Sequence, residues 1–295
     1  MKRLLITGTG SFVGSAIQAH LAQWPDRYQI TAIDMQSPSW RDFDFSTFDS
    51  VFHVAGLAHA DVGHVSEERK ALYYKINSDL PAETAAKAKA EGVKQFIFMS
   101  SAIVYGDSAP IGRAKTITRD TPPAPANFYG DSKLQAELKL RPLSSDSFKV
   151  AILRCPMIYG KGSRGNFPIL EKMAMKLPFF PKVANARSML YVGNLAEFVR
   201  LLVDDEAAGT FWPCNAELSN TSELVRLIAR ARGKNLPLVP GFSPLLKLLA
   251  RFSPYVDKAF GNFAYASGLG DYPRNYRLFS LGQSIMETER PQSNA

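Results

Sequence analysis

The segment Leu4-Leu5-Ile6-Thr7-Gly8-Thr9-Gly10-Ser11-Phe12-Val13-Gly14 constrains the fold more than any other stretch, because it runs an apolar strand into a glycine turn and then a helix. Consecutive apolar residues suit a strand covered on both faces, the form found in parallel sheets. The glycines allow close backbone approach, and the helix that follows aims unpaired N–H groups and the positive end of its dipole at the turn. A chain that opens this way is expected to alternate strand and helix through right-handed crossovers.

The rest of the sequence keeps that rhythm. Residues 13–24 read as a helix closed by Pro25, 28–34 as the second strand, 42–45 as a short third strand and 50–55 as a nearly all-apolar fourth. A long helix is expected over 66–91 with Gly92 as its stop, then a strand over 95–101, a Pro-rich loop over 107–126, a helix carrying Tyr129 and Lys133, and a strand over 149–154. The expected fold class is α/β, a doubly wound parallel (Rossmann) sheet with a smaller, interleaved α/β substrate lobe. Beyond Gly160 come a loop over 161–166, a Met-containing helix and the run Leu177-Pro178-Phe179-Phe180-Pro181. Residues 193–203 and 210–213 read as a helix and strand returning to the main sheet. The division expected is therefore 1–160 for the dinucleotide-binding part, with 189–214 returning to it, and 161–188 with 215–295 for the substrate lobe.

Composition excludes several classes. The 295 residues are 46% apolar, enough for a substantial core. A net charge of +8 is spread without a basic block or interleaved stacking aromatics, which argues against nucleic acid and leaves a solvated positive surface or a phosphate-bearing ligand. The opening apolar run is too short for a secretory core, and no stretch approaches the roughly 20 apolar residues of a membrane span. With only Cys155 and Cys214, reduced thiols and a cytoplasmic location are expected. His59, Asp61 and His64 are too dispersed to predict a metal site, so no metal is expected. Residues 244–252 form a short basic amphipathic pattern, expected to pack on the small lobe rather than to touch a membrane.

Chemistry enters with four side chains. Asp34 ends the second strand about 20 residues after Gly14, where a carboxylate can accept the ribose hydroxyls of a dinucleotide; with Met35 next to it and no adjacent Arg, NAD is favoured over NADP. Tyr129 and Lys133, four apart, share one helix face. A phenol ionises near pH 10, so acid–base work near neutrality needs its anion stabilised by about 4 kcal/mol, which Lys133 and an oxidised nicotinamide could supply. Ser101, ending a strand aimed at the same cleft, offers a hydroxyl to hold the reacting oxygen.

Together these residues resemble the extended short-chain dehydrogenase/reductase family, in its sugar-nucleotide epimerase/dehydratase branch. The resemblance rests on Thr7-Gly8 through Gly14, His53-Val54-Ala55-Gly56, Ser100-Ser101-Ala102-Ile103-Val104-Tyr105-Gly106, the Tyr129/Lys133 pair, and Arg154-Cys155-Pro156-Met157-Ile158-Tyr159-Gly160. It implies Ser101 as the catalytic hydroxyl, Tyr129 as acid/base and Lys133 as its electrostatic and ribose-binding partner. It further implies NAD held by Gly8, Gly10, Ser11, Phe12, Val13, Gly14, Asp34, Met35 and Asp44, then by Ala55, Gly56, Asn77, Ser100, Tyr129, Lys133 and Pro156. Arg187 resembles the arginine that grips a nucleotide diphosphate and Asn166 the loop asparagine beside it, so both join Ser101 and Tyr129 in the implied substrate site. A homodimer is compatible with the sequence.

Two departures stand out. The family usually has glycine where Ser11 stands, and here Gly10 precedes it, so Ser11 is expected to accommodate the turn. Related dehydratases carry an Asp-Glu pair after the catalytic hydroxyl; Ala102-Ile103 cannot move a proton, so dehydration is not expected. What the resemblance implies is hydride transfer at C4 of a UDP-hexose or UDP-N-acetylhexosamine, as in bacterial surface-polysaccharide enzymes, with epimerase and 4-ketoreductase both open. A reductase of a non-nucleotide ketone and a catalytically silent NAD-sensing protein are the alternatives.

Overall fold

The computed structural model describes residues 1–58 and 65–290, so His59, Asp61 and His64 lie outside the described residues. The chain runs β1 (Lys2–Thr7), α1 (Phe12–Leu21), β2 (Tyr28–Ile33), β3 (Ser50–His53), α2 (Glu67–Tyr74), α3 (Leu80–Ala90) and β4 (Gln95–Ser101). It continues through β5 (Thr116–Ile117), α4 (Phe128–Leu140), β6 (Lys149–Cys155), β7 (Met157–Tyr159), α5 (Phe167–Lys176), β8 (Phe180–Pro181), β9 (Met189–Tyr191), α6 (Val192–Asp205) and β10 (Gly209–Phe211). The last part holds α7 (Thr221–Ala231), β11 (Leu238–Val239), α8 (Ser243–Ala250), α9 (Pro254–Phe260), β12 (Ala264–Tyr265) and α10 (Leu281–Glu289).

The main sheet has six parallel strands in the order β10-β6-β4-β3-β1-β2. Period-two alternation in β1 explains its double covering. Leu4 and Ile6 enter a core with Ile17 and Leu21 of α1 and Phe198 and Leu202 of α6, whereas Leu5 enters the opposite core with Ala85 of α3 and Ala136 of α4. Each such aliphatic side chain contributes about 1.5–3 kcal/mol by leaving water. Because β2 and β3 flank β1 on opposite sides, the chain reverses direction across the sheet there, and a crevice opens beyond the carboxyl ends of β1 and β3.

Three expectations need correction. No third strand forms over 42–45: Pro38 opens a short 3-10 turn over Pro38–Arg41, and Asp44 accepts the Ser46 amide at 2.8 Å, closing a local turn instead of a ladder. Trp40, Phe45 and Phe48 bury their rings from those turns. The helix expected over 66–91 is interrupted by a wide, π-type turn over Lys75–Asp79. Pro81, second residue of α3, lacks an amide and clashes with the carbonyl four residues earlier, which accounts for the widened turn. Residues 244–252 do pack, but only partly: α8 inserts Leu246 into the small-lobe core and leaves Leu245, Leu248, Leu249 and Phe252 exposed.

The returning strand takes its expected place, β10 pairing with β6. The small lobe's core joins α5, α7 and α10 through Phe167, Leu170, Leu224, Ile228 and Ile285. The last helix begins with a reciprocal cap, Ser280 and Gln283 each bonding the other's backbone. Cys155 and Cys214 are buried free thiols.

Candidate active site

At the glycine turn, Gly8 has φ +116 and lies so close to β3 that a Cβ would stand 2.9 Å from the Ala55 nitrogen. The left-handed turn residue is Gly10, φ +70, and Ser11 is extended at φ -71, ψ 143. The one-place shift of glycine therefore removes the strain expected at Ser11. Its Oγ instead caps α1 by accepting the Gly14 amide at 3.1 Å. Gly14 lets α1 close on the sheet, since a Cβ there would meet Ser11 Oγ at 2.6 Å and Ile6 at 3.3 Å. The first-turn amides of Phe12 and Val13 have no intrahelical carbonyl to bond. Their side chains serve packing, Phe12 toward Gly160 and Val13 against the core.

Beneath the turn, Thr7 Oγ1 and His53 Nδ1 are 2.8 Å apart and tie β1 to β3. Burial, aided by the charge of Lys133, pulls His53 down to about 3, so the ring is neutral. Asp34 follows β2 with an exposed carboxylate whose Oδ1 accepts the Gln36 amide at 3.0 Å. Met35 is buried in the core under the sheet, so its side chain is not offered to the crevice. Asp44 is exposed, its carboxyl held below its ordinary value by Ser46.

Lys133 gathers the second half of the site. Its ammonium donates to the Met99 carbonyl at 2.9 Å and stands 4.9 Å over the Phe98 ring. Asn77, in the widened turn, accepts the Leu57 amide at 2.8 Å and donates to Ser132 at 3.2 Å. A Cβ on Gly56 would come within 3.1 Å of Asn77 Oδ1 and 3.3 Å of Lys133 Nζ, so the absence of a side chain there keeps the crevice open. Ser101 is near enough to the Tyr129 hydroxyl to act on its ionisation. Tyr73 of α2 meets the Tyr129 ring edge-on at 6.2 Å and helps bury it. Burial pushes the Tyr129 phenol up to about 12, against the interaction with Ser101, which lowers it.

Ser100 and Ser101, adjacent in sequence, point apart. Ser101 faces Tyr129, while the Ser100 hydroxyl donates to Glu137 at 2.6 Å inside the core, leaving only its backbone for a coenzyme. Glu137, fully buried, is clasped by Arg154 at 2.6 Å, and Arg154 donates to Tyr105 Oη at 2.6 Å. Trp212 completes the network at 2.7 Å from the same oxygen. Sequence reasoning missed Glu137. The available signal was its place four residues after Lys133, a carboxylate continuing the Tyr129/Lys133 face.

Arg187 stands just before β9, bridged to Ser219 and Phe263, its Nη1 donating to the carbonyls of Lys258 at 2.9 Å and Gly261 at 3.2 Å. Burial lowers its pKa, and among the described residues no carboxylate pairs with it. Asn166 is exposed at the start of α5, and Pro156 is buried just after β6. Among the described residues no three His, Cys, Asp or Glu side chains are grouped to hold a metal.

A dinucleotide fits this set. Side-chain-free positions at Gly8, Gly10 and Gly56 open the crevice, the amides of α1 face it, Asp34 closes one end and Lys133 with Asn77 the other.

Lys133 makes stability depend on pH. Burial pulls it from 10.5 to about 8, with Cys155 and Glu137 acting in the other direction. Between about pH 8 and 10.5 the unfolded chain keeps a proton that the folded chain has released, so this group adds stability as pH rises and costs most below that window. A shift of that size corresponds to roughly 3 kcal/mol. The stability difference between Lys133→Met and the wild type should therefore shift by about 2–3 kcal/mol in favour of the wild type between pH 7.5 and 10. Chemical denaturation at several pH values checks it; a constant difference would show an ordinary lysine.

Comparison with known proteins adds an independent result. The NAD dependent epimerase/dehydratase family model matches residues 4–211. The chain is 30% identical to a UDP-glucose 4-epimerase of Vibrio cholerae over 79% of this chain and 76% of that protein. It is 28% identical to an N-acetyl-α-D-glucosaminyl-diphospho-ditrans,octacis-undecaprenol 4-epimerase of Escherichia coli O157:H7, over 79% of this chain and 73% of that one. A dTDP-4-dehydrorhamnose reductase of Bacillus anthracis in complex with NADP has the same fold, with TM-score 0.70, 19% identity and 98% of each chain covered.

Proposed function

The chain belongs to the NAD dependent epimerase/dehydratase family, and from that premise we propose that it transfers hydride at C4 of a hexose or N-acetylhexosamine carried on UDP, as a 4-epimerase or 4-ketoreductase. The observation that carries this reading is the meeting of Ser101, at the carboxyl end of β4, with Tyr129 of α4, the helix that also carries Lys133 one turn on. In it, Tyr129 exchanges a proton with the C4 oxygen and Ser101 holds that oxygen in place. Lys133 and Asn77 position the ribose on the nicotinamide side, and Asp34 the adenosine ribose, which favours NAD over NADP. When bound, NAD supplies the hydride acceptor and donor.

Arg187 supports a diphosphate-bearing substrate, being a half-buried guanidinium whose protein partners are carbonyls alone among the described residues. In this reading 161–188 and the residues from 215 onward form the sugar side, with Asn166 beside Arg187. The Vibrio relative is named for a nucleotide sugar and the Escherichia relative for a lipid-linked one; both carry the sugar on a diphosphate. Ala102-Ile103, which cannot move protons, supports simple hydride exchange over dehydration.

The test is incubation with a panel of UDP-sugars and a polyprenyl-diphosphate N-acetylhexosamine, with and without added NADH. Interconversion of C4 epimers without net NADH consumption identifies an epimerase, and stoichiometric oxidation of NADH by a 4-keto-sugar identifies a reductase. Turnover of a simple ketone, unaffected by Arg187→Met, with every sugar diphosphate inert, would overturn the reading.

A further inference from the structure

The helix α8 carries two apolar stripes, and only one is used by the fold. Phe242 and Leu246, four residues apart, pack into the small-lobe core. Leu245, Leu248, Leu249 and Phe252 recur at intervals of three and four on another face and are 50%, 49%, 44% and 81% exposed. Phe179, 41% exposed, extends the apolar surface by contacting Phe242 at 5.8 Å. An apolar stripe of this kind left in water marks an interaction surface.

Charge selects the partner. Lys247 and Arg251, four residues apart, are both exposed, the Lys247 ammonium lying beside Gly112, and neither is ion-paired among the described residues. Residues 233–256 contain no acidic side chain. The next carboxylate, Asp257, is turned inward to accept the Ile111 amide at 3.1 Å. Self-association through this face about a two-fold axis would bring Lys247 and Arg251 toward their own copies, a like-charge arrangement. Apolar residues on one side and unopposed cations on the flank match an anionic lipid surface, the chain ends of Leu and Phe entering the acyl boundary while Lys and Arg reach headgroup phosphates.

We propose that α8 docks the protein on anionic membranes. The docking face is joined to the cleft, since α9 packs on α8 and the carbonyls of Lys258 and Gly261 hold Arg187. Membrane binding would thus set the Arg187 edge of the cleft at the bilayer surface. The inference does not depend on the reaction proposed above.

Flotation of the full chain with phosphatidylcholine vesicles containing about one third phosphatidylglycerol tests it. The protein should float with these vesicles, and much less with phosphatidylcholine alone or in high salt. Leu248→Glu/Phe252→Glu should reduce partitioning by at least about tenfold, and Lys247→Gln/Arg251→Gln by about tenfold with loss of the salt dependence. All four side chains are exposed, so thermal melting of the variants should match wild type and exclude misfolding as the cause. Failure of the wild type to float, flotation of the Glu variant equal to wild type, or a dimer seen by light scattering that the Glu variant dissociates without any flotation would each overturn the proposal.

Discussion

Replacing Tyr129 by Phe should lower turnover about a thousandfold while changing NAD affinity by no more than about threefold, because general acid–base transfer contributes roughly two to four orders of magnitude and the ring stays in place. The hydroxyl is the part removed; Tyr73 and Phe128 still enclose the aromatic ring's helix, with Tyr73 and Phe128 5.0 Å apart. Burial holds the phenol up near 12, so the protein's own groups keep it protonated through neutral pH and ready to donate. Hydride transfer to a 4-keto-sugar should therefore run at a rate nearly independent of pH from about 6 to 7, below the titration of Lys133 at about 8, whereas the oxidative direction should speed up as pH rises over that range. Ser101→Ala removes the interaction that lowers Tyr129 and should displace that rise to higher pH, slowing the oxidative direction at any given pH. Single-turnover rates in both directions, with NAD binding followed separately, check these outcomes; a Phe variant that turns over normally would assign the proton to another group.

Much of this site was legible because local rules coincide with the fold there. The glycine turn follows an apolar strand, so strand, turn and helix are dictated within a dozen or so residues. Tyr129, Lys133 and Glu137 share a face for the same periodic reason that any helix has one. What escaped local reading depends on partners far along the chain. Ser100 and Ser101 are interchangeable to a pattern, yet β4 alternation sends one to Glu137 in the core and the other to Tyr129. The run Asp42-Phe43-Asp44-Phe45 alternates like a strand, but the Asp44 turn and the buried rings of Trp40 and Phe48 outweigh that pattern. Asn77 could be named, but its place in a widened turn follows from Pro81, whose effect falls one turn before itself. The exposed stripe of α8 is invisible to periodicity alone, since both of its stripes are apolar.

Arg154→Met should destabilise the protein by about 3–5 kcal/mol, the cost of stripping one partner from a buried ion pair. Arg154 and Glu137 have side chains 5% and 0% exposed and meet through three hydrogen bonds of 2.6–3.2 Å from Nε and Nη2. Without Arg154, Glu137 keeps the Ser100 hydroxyl and the half-exposed Arg141, too little to replace water around a carboxylate. Arg154 also joins two sequence segments, because its bond to Tyr105 links β6 to the turn directly after Ser101. The diagnostic comparison is the double variant Glu137→Gln/Arg154→Met, in which no buried charge is left unpaired. Urea denaturation should find the double variant more stable than Arg154→Met alone; losses that simply add would mean that packing, not charge, sets the cost. Glu137 further raises the pKa of Lys133, so Glu137→Gln should move the Lys133 stability window to lower pH. The core network and the active-site ammonium thus titrate as neighbours, and a substitution made for stability in one is expected to register as a pH shift in the other.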